Sequence, residues 1–231
     1  LYQLSVPEGK DITNLTSIKN DSLRIQGRWD VASSKDGLKI IDDIKIKLDS
    51  TDVLVKMQAI HQACPNSQFI IDANEAWTFS LLQELTPRLA KLNVALIEQP
   101  LAANNDAELV NYTSPVPLCA DESCHTSADV SILATKYSMV NIKLDKTGGL
   151  SEALALAKAA KSANMQIMLG CMVASSLAMA PIFVLAQYAD YVDLDGPVLV
   201  AEDRPGGFIF NGAQMAKPTT LLWGEGYVGE S

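Results

Sequence analysis

Five residues in this chain have the types and the spacing to move a proton on and off carbon. Asp72, Glu98 and Asp121 each end a short apolar run (QFIID, VALIE and PLCAD), and Lys47 and Lys143 end the runs before and after them. Carboxylates at the ends of three successive strands would converge their oxygens on one point. That is the donor set a hard cation such as Mg²⁺ prefers, with positions left open for substrate and water. Without a cation those charges would repel at close range. A lysine on each side of the set suits a 1,1-proton transfer, in which one base takes a proton and the other returns it on the opposite face. A carbon acid beside a carboxylate is very weak, so the base needs a pKa near neutrality and the enediolate needs a metal to hold it. Lys45 adds positive charge beside Lys47 that would lower its pKa. The competing reading is an ion network in which the lysines only neutralise the carboxylates; a single strand-end aspartate is more often a helix cap or loop residue.

Positioning these groups is a matter of strand ends. Lys47, Asp72, Glu98, Asp121, Lys143, Met168 and Asp193 close successive strands 22 to 26 residues apart, with helical periodicity between them. Strand alternating with helix at that step is the βα unit of a parallel sheet. With LYQLSV (1–6) as the first strand there are eight, which suits a closed (β/α) TIM-type barrel, whose active site lies at the C-terminal strand ends. No GxGxxG follows a strand, so an open dinucleotide-binding sheet fits less well. On a ring of eight, the second and sixth strands face each other, and they carry Lys47 and Lys143. In MVNIKLDKTGG (139–149), Met139, Val140, Ile142 and Leu144 read as strand, Asn141, Lys143 and Asp145 share the other face, and Gly148-Gly149 opens the next helix. Asn74, Glu122 and Asn141 stand beside the main set as supporting groups, and Asp193 and Asp195 close the last strand. Helices are expected at 53–64, 79–92 with an interruption or bend at Pro87, 106–112, 128–136, 150–160 and 177–187.

Composition narrows the classes. With 231 residues, 48% hydrophobic and a formal charge of −9, the chain is globular and has no basic cluster to follow a nucleic acid backbone. No apolar run is long enough to span a bilayer and no signal peptide opens the chain. Cys64, Cys119, Cys124 and Cys171 form no CxxC pair and only His61 and His125 are present, so a zinc site lacks ligands and a reducing, cytoplasmic setting fits. Ser175, Ser176 and Cys171 lack a histidine for a nucleophilic triad. Trp77 and Trp223 could line a pocket or simply pack. The expected organisation is 1–37, a first strand and an unassigned segment; 38–200, the barrel core; and 201–231, a C-terminal segment with a short strand at 207–210.

Seven motifs in order, Lys45-Ile46-Lys47, Asp72-Ala73-Asn74-Glu75, Glu98-Gln99-Pro100, Ala120-Asp121-Glu122-Ser123, Asn141 to Gly149, Gly170-Cys171-Met172 and Asp193-Leu194-Asp195-Gly196-Pro197, resemble the enolase superfamily, and within it the dipeptide epimerases. The resemblance implies that Asp72, Glu98 and Asp121 hold Mg²⁺ and that Lys47 and Lys143 exchange the α-proton on opposite faces. It implies that Lys45 assists the enediolate carboxylate and that Asp193 and Asp195 receive the α-ammonium of a dipeptide. The implied substrate is a small dipeptide of the L-Ala-D/L-Glu type from cell-wall peptide recycling, and a homo-oligomer is compatible with it. Superfamily members carry an N-terminal α+β capping domain, which this reading does not find here. The alternatives are a muconate-lactonising or o-succinylbenzoate-synthase-like enzyme, disfavoured by the DxD pair, and a non-catalytic barrel or inactive fragment without its cap.

Overall fold

The computed structural model describes residues 4–5, 26–27, 43–211, 214–216, 218 and 220–223. Three strands, β1 (Leu4–Ser5), β2 (Gln26–Gly27) and β3 (Asp43–Lys47), are followed by α1 (Val53–Ala63), β4 (Gln68–Asp72), α2 (Phe79–Leu89), β5 (Val94–Glu98), β6 (Leu118–Ala120), α3 (Val130–Leu133) and β7 (Met139–Ile142). Then come α4 (Leu144–Thr147), α5 (Leu150–Ser162), β8 (Gln166–Leu169), α6 (Ser176–Phe183) and β9 (Tyr191–Val192), with β10 (Phe210–Asn211) and β11 (Gln214–Met215) paired antiparallel beyond them. One sheet runs β1-β3-β4-β5-β6-β7-β8-β9 with every neighbour parallel, and β2 lies antiparallel on β3. Among the described residues no backbone pairing joins β9 to β1. The sheet is nevertheless curled: the ammonium of Lys45 on β3 reaches the carboxylate of Asp193, just past β9, at 3.1 Å.

The period of two along each strand explains this architecture. Phe69, Ile71, Ile97, Val140, Ile167 and Leu169 face outward into the large core shared with the helices. Ile70, Leu96, Cys119, Met139, Met168 and Tyr191, about one from each strand, form a separate buried layer inside the curl. Strands apolar on both faces belong to a sheet covered on both sides. Two residues beyond that inner layer along the same faces come Asp72, Glu98, Asp121, Asn141 and Asp193, all buried. The apolar layer is thus a floor on which a charged layer stands, at the C-terminal ends of the strands.

Several expected elements take different forms. The helix expected at 106–112 is two 3₁₀ turns, Ala103–Asn105 and Ala107–Leu109. The helix expected at 128–136 is a 3₁₀ turn with a capping box, Ser127–Asp129, leading into the four residues of α3. α2 runs through Pro87 to Leu89, and a 3₁₀ turn continues to Leu92. The β7 strand ends at Ile142, so Leu144 and Asp145 lie in α4 and not on the strand. Lys143 keeps an extended backbone (φ −123°, ψ 132°) and so still shares the face of Asn141. Most of the segment 1–37 lies outside the described residues. Trp77 packs, buried, with its indole N–H donated to the Asp49 carbonyl at 3.0 Å.

Candidate active site

The charged layer surrounds a cavity of about 330 Å³ lined by Lys45, Lys47, Asp72, Lys143, Asp193 and Asp195, among others. Lys45, buried, stands in the middle of the carboxylates: its ammonium lies 2.7 Å from Glu98 Oε2, 3.1 Å from Asp193 Oδ2 and 3.3 Å from Asp72 Oδ2. Lys47 donates to Asp72 Oδ2 at 2.9 Å and to Asn74 Oδ1 at 2.7 Å. Lys143 donates to Asp121 Oδ2 at 2.5 Å. The expected supporting groups are all in contact: Asn141 Nδ2 donates to Glu98 Oε1 at 2.6 Å, and Asn74 Nδ2 to Glu122 Oε1 at 3.3 Å. Asp195 Oδ1 is 3.9 Å from Cys171 Sγ, which accepts the Gly196 N–H at 3.4 Å.

Local backbone geometry sets these side chains. After β4 the chain takes two consecutive left-handed residues, Asn74 (φ 42°) and Glu75 (φ 65°). Such conformations cost about 1–3 kcal/mol each for a residue with a side chain and persist only where surroundings enforce them. Here the Glu75 N–H donates to the Gln99 carbonyl at 2.8 Å, and Glu75 Oε1 accepts the Ala103 N–H at 2.7 Å. Gly170 meets a different demand. A β-carbon there would lie 2.5 Å from Asn141 Oδ1 and 2.9 Å from Lys143 Cε, so only glycine lets both side chains cross the end of β8.

Two contributors were not visible as such in the sequence. Gln99, buried with φ 34°, accepts the N–H groups of Asp121 (2.9 Å) and Ser123 (3.1 Å) through Oε1. Its Nε2 donates to the Leu101 carbonyl, Ser123 Oγ and Tyr137 OH. It therefore brackets the strand ends that carry Glu98 and Asp121. The other is Lys146, whose ammonium donates to Asp121 Oδ1 at 2.5 Å, to the Asn141 carbonyl at 3.0 Å and to the Asp121 carbonyl. Only tertiary placement reveals either role.

The carboxylates set the charge state of Lys45 and Lys143. Burial lowers the proton affinity of Lys45, yet Glu98, Asp72 and Asp193 outweigh it and hold the ammonium well above the usual lysine range. Lys143 follows the same pattern, burial pulling down and Glu98 and Asp121 pulling further up. Both lysines are thus held as cations by the carboxylates. Asp121 and Asp72 lie below the ordinary carboxylate range: burial opposes ionisation, but Lys146 and Lys143 overcome it at Asp121, and Lys45 and Lys47 at Asp72. Glu98 goes the other way. Burial, countered by Lys45 and reinforced by Asp72 and Asp121, pushes it up to about 7.

Whether these residues suit a divalent cation can be tested on the donors themselves. Among the described residues no three side chains of His, Cys, Asp or Glu stand as a preformed metal cluster, and lysines pair with the oxygens of Asp72 and Asp121. Glu98 Oε2 is buried with the Lys45 ammonium 2.7 Å away and no other polar partner among the described residues. Six carboxylates (Asp72, Glu98, Asp121, Glu122, Asp193 and Asp195) face four lysines (Lys45, Lys47, Lys143 and Lys146). With every group ionised the deficit is two positive charges, smaller where Glu98 is protonated, and the oxygen donors are hard. In donor chemistry, though not in preformed placement, the set suits a divalent cation.

Residues 30–211 match the family described as Enolase C-terminal domain-like. The chain belongs to that family. It is 56% identical over 181 residues, 78% of this chain and 58% of the relative, to an N-acetyl-D-glutamate racemase from Pseudoalteromonas sp.. It is 48% identical over 160 residues, 69% of this chain and 50% of the relative, to L-Ala-D/L-Glu epimerase from Escherichia coli (strain K12). It thus spans about half the length of the curated relatives it matches. Among solved structures, an enolase family member from Agrobacterium tumefaciens with homology to dipeptide epimerases, with bound sodium and L-Ala-L-Glu, superposes with a TM-score of 0.76 at 43% identity, covering 79% of this chain and 56% of that one. A dipeptide epimerase from Methylococcus capsulatus complexed with Mg ion superposes with a TM-score of 0.73 at 25% identity, covering 93% and 61%. No helix among the described residues is long and apolar enough to cross a membrane.

Proposed function

We propose that this chain carries the catalytic half of a Mg²⁺-dependent epimerase that inverts the α-carbon of the C-terminal residue of a dipeptide, of the L-Ala-D/L-Glu type. The observation that carries this reading is the placement of Lys47 and Lys143. They line one cavity from the second and sixth strands of an eight-strand parallel order, with Asp72, Glu98 and Asp121 on the strands between. Mg²⁺, held by those three carboxylates, would supply the positive charge that stabilises the enediolate. In each direction of the reaction one of Lys143 and Lys47 would act as the neutral amine and the other as the ammonium. One takes the α-proton from its face and the other, as an ammonium, delivers a proton to the opposite face. Lys45, fixed between Glu98 and Asp193, keeps its charge and steadies the substrate carboxylate. Asp193 and Asp195 close the far side of the cavity and bind the amino end.

The identity to an N-acetyl-D-glutamate racemase supports a second reading, a free N-acylated glutamate in place of the dipeptide. Both substrates present an acylated α-nitrogen beside the carbon to be inverted. The dipeptide also offers an ammonium, and Asp193 Oδ1, at the cavity wall, is a buried acceptor without a hydrogen-bond partner among the described residues. That acceptor favours the dipeptide. Four free cysteines agree with a reducing, cytoplasmic setting, and a dipeptide of this type would place the chain in murein peptide recycling.

Incubation with Mg²⁺ in D₂O, followed by NMR at the α-proton, separates the readings. Exchange and inversion in L-Ala-L-Glu, faster than in N-acetylglutamate, is the expected result. The reverse order would move the assignment to the racemase. No exchange in either substrate, in a protein carrying the full length of its relatives, would overturn both.

A further inference from the structure

Lys143 and Lys146 both hold Asp121, but in different ways. Among the described residues Lys143 has one acceptor, Asp121 Oδ2. Lys146 fills its three donor positions: Asp121 Oδ1 at 2.5 Å, the Asn141 carbonyl at 3.0 Å, and the carbonyl of Asp121 itself. An ammonium whose protons are all engaged is fixed, whereas one with a single acceptor can turn away. The fixed position depends on α4, where the Lys146 and Thr147 N–H groups both bond to the Lys143 carbonyl at 3.1 Å. That one helical turn puts residues three apart on the same side. Gly148 (φ 71°) and Gly149 (φ 138°) then reverse the chain so that the turn stays against the ends of β6 and β7.

We infer that Lys146 is a positioning residue: it grips Asp121 Oδ1 and two strand-end carbonyls so that Oδ2 is presented to the cation, whichever way Lys143 moves. This rests on the proposed role of Asp121 as a cation ligand. Lys146 itself lines no part of the cavity, so it acts through Asp121 and not on substrate.

The test compares Lys146→Met, which keeps the length and removes the charge, with Lys161→Met, which breaks an ion pair to Asp190 at the opposite strand ends. Mg²⁺ alone is titrated by calorimetry into each folded chain, and crystal structures are determined without metal. Lys146→Met is expected to bind Mg²⁺ about 10- to 100-fold more weakly, as loss of a ligand-orienting partner does. Its Asp121 carboxylate is expected to turn in the crystal, while Lys161→Met binds like the parent. Equal affinity of Lys146→Met and the parent, or an unmoved Asp121, would overturn the inference. If the parent binds no Mg²⁺, the cation reading fails, and the Asp121 orientation in the two crystals decides the role of Lys146 by itself. Should Lys146→Met fail to fold, Lys146→Arg takes its place: it keeps the charge but cannot bring three donors to one point, so a smaller loss of affinity with the same turn of Asp121 is expected.

Discussion

The two sides of the cavity are built alike and held differently. Asp72 is gripped by Lys45 and Lys47, and Asp121 by Lys146 and Lys143, so each of these aspartates has one buried or saturated lysine and one with room to move. On the β3 side the mobile partner, Lys47, is 38% exposed and has a second acceptor in Asn74. On the β7 side Lys143 is 13% exposed and leans on Asp121 alone among the described residues. The fixed partners differ too. Lys45 sits within a strand among three carboxylates, whereas Lys146 sits on a helical turn and spends two donors on backbone carbonyls. The two proposed bases are therefore supported by unlike surroundings, and those surroundings can be perturbed one at a time.

The largest effect should come from the bases themselves. Lys143→Ala and Lys47→Ala are each expected to lower epimerisation by about 10³-fold or more, in the range of a lost acid/base group. Each variant should still wash deuterium into one stereoisomer, through the lysine that remains, and the two variants should spare opposite isomers. Equal loss of exchange from both isomers in either variant would break the division between faces. Asp121→Asn comes next. It removes a charge that neutralises two lysines, so about 3–5 kcal/mol of stability should be lost, as when one partner of a buried pair is deleted. Its affinity for Mg²⁺ should fall as well. Denaturant titration and calorimetry read the two effects separately, and unchanged cation affinity would remove Asp121 from the ligand set.

Much of this site could be read from the sequence because a strand shows its inward face by a period of two. Asp72, Glu98, Asp121 and Lys143 fall where that period and the step between strands put them. The reading lost Lys146 where the period changed: beyond Ile142 a strand pattern puts residues 143 and 146 on opposite faces, and the helical turn of α4 puts them together. Gln99 was hidden for another reason. Its side chain meets partners from residues 101 to 137, and no local pattern marks a buried amide with that many of them. The short 3₁₀ turns near 103–109 follow from tertiary packing, where the apolar spacing resembled a helix.

Gln99 offers a perturbation that touches the β7 side without altering a charge. Gln99→Leu keeps the volume roughly but leaves the N–H groups of Asp121 and Ser123 without the acceptor they now share. An unpaired buried donor costs about 1–3 kcal/mol, so a stability loss of that order is expected in urea. The backbone at Asp121 should loosen, and exchange into the isomer that depends on Lys143 should fall more than exchange into the other. A uniform fall in both would mean that Gln99 supports the whole barrel rim and not one side of it.

The smallest predicted effect belongs to the β3 side. Asn74 accepts from Lys47 at 2.7 Å and donates to Glu122 at 3.3 Å, and its left-handed backbone holds it there. Asn74→Ala removes the second acceptor of Lys47 and leaves Asp72, so Lys47 would then resemble Lys143 in having one carboxylate to lean on. Asn74 orients Lys47 and does not neutralise it, so the turnover that starts from the Lys47 face should drop by about tenfold, the size of a misaligned proton transfer rather than a lost one. Mg²⁺ affinity should stay near that of the parent, because Asp72 still has Lys45. The split between faces is the useful readout: a loss confined to one stereoisomer locates the effect at Lys47, whereas an equal loss in both directions would place Asn74 with the loop's strain and not with the base.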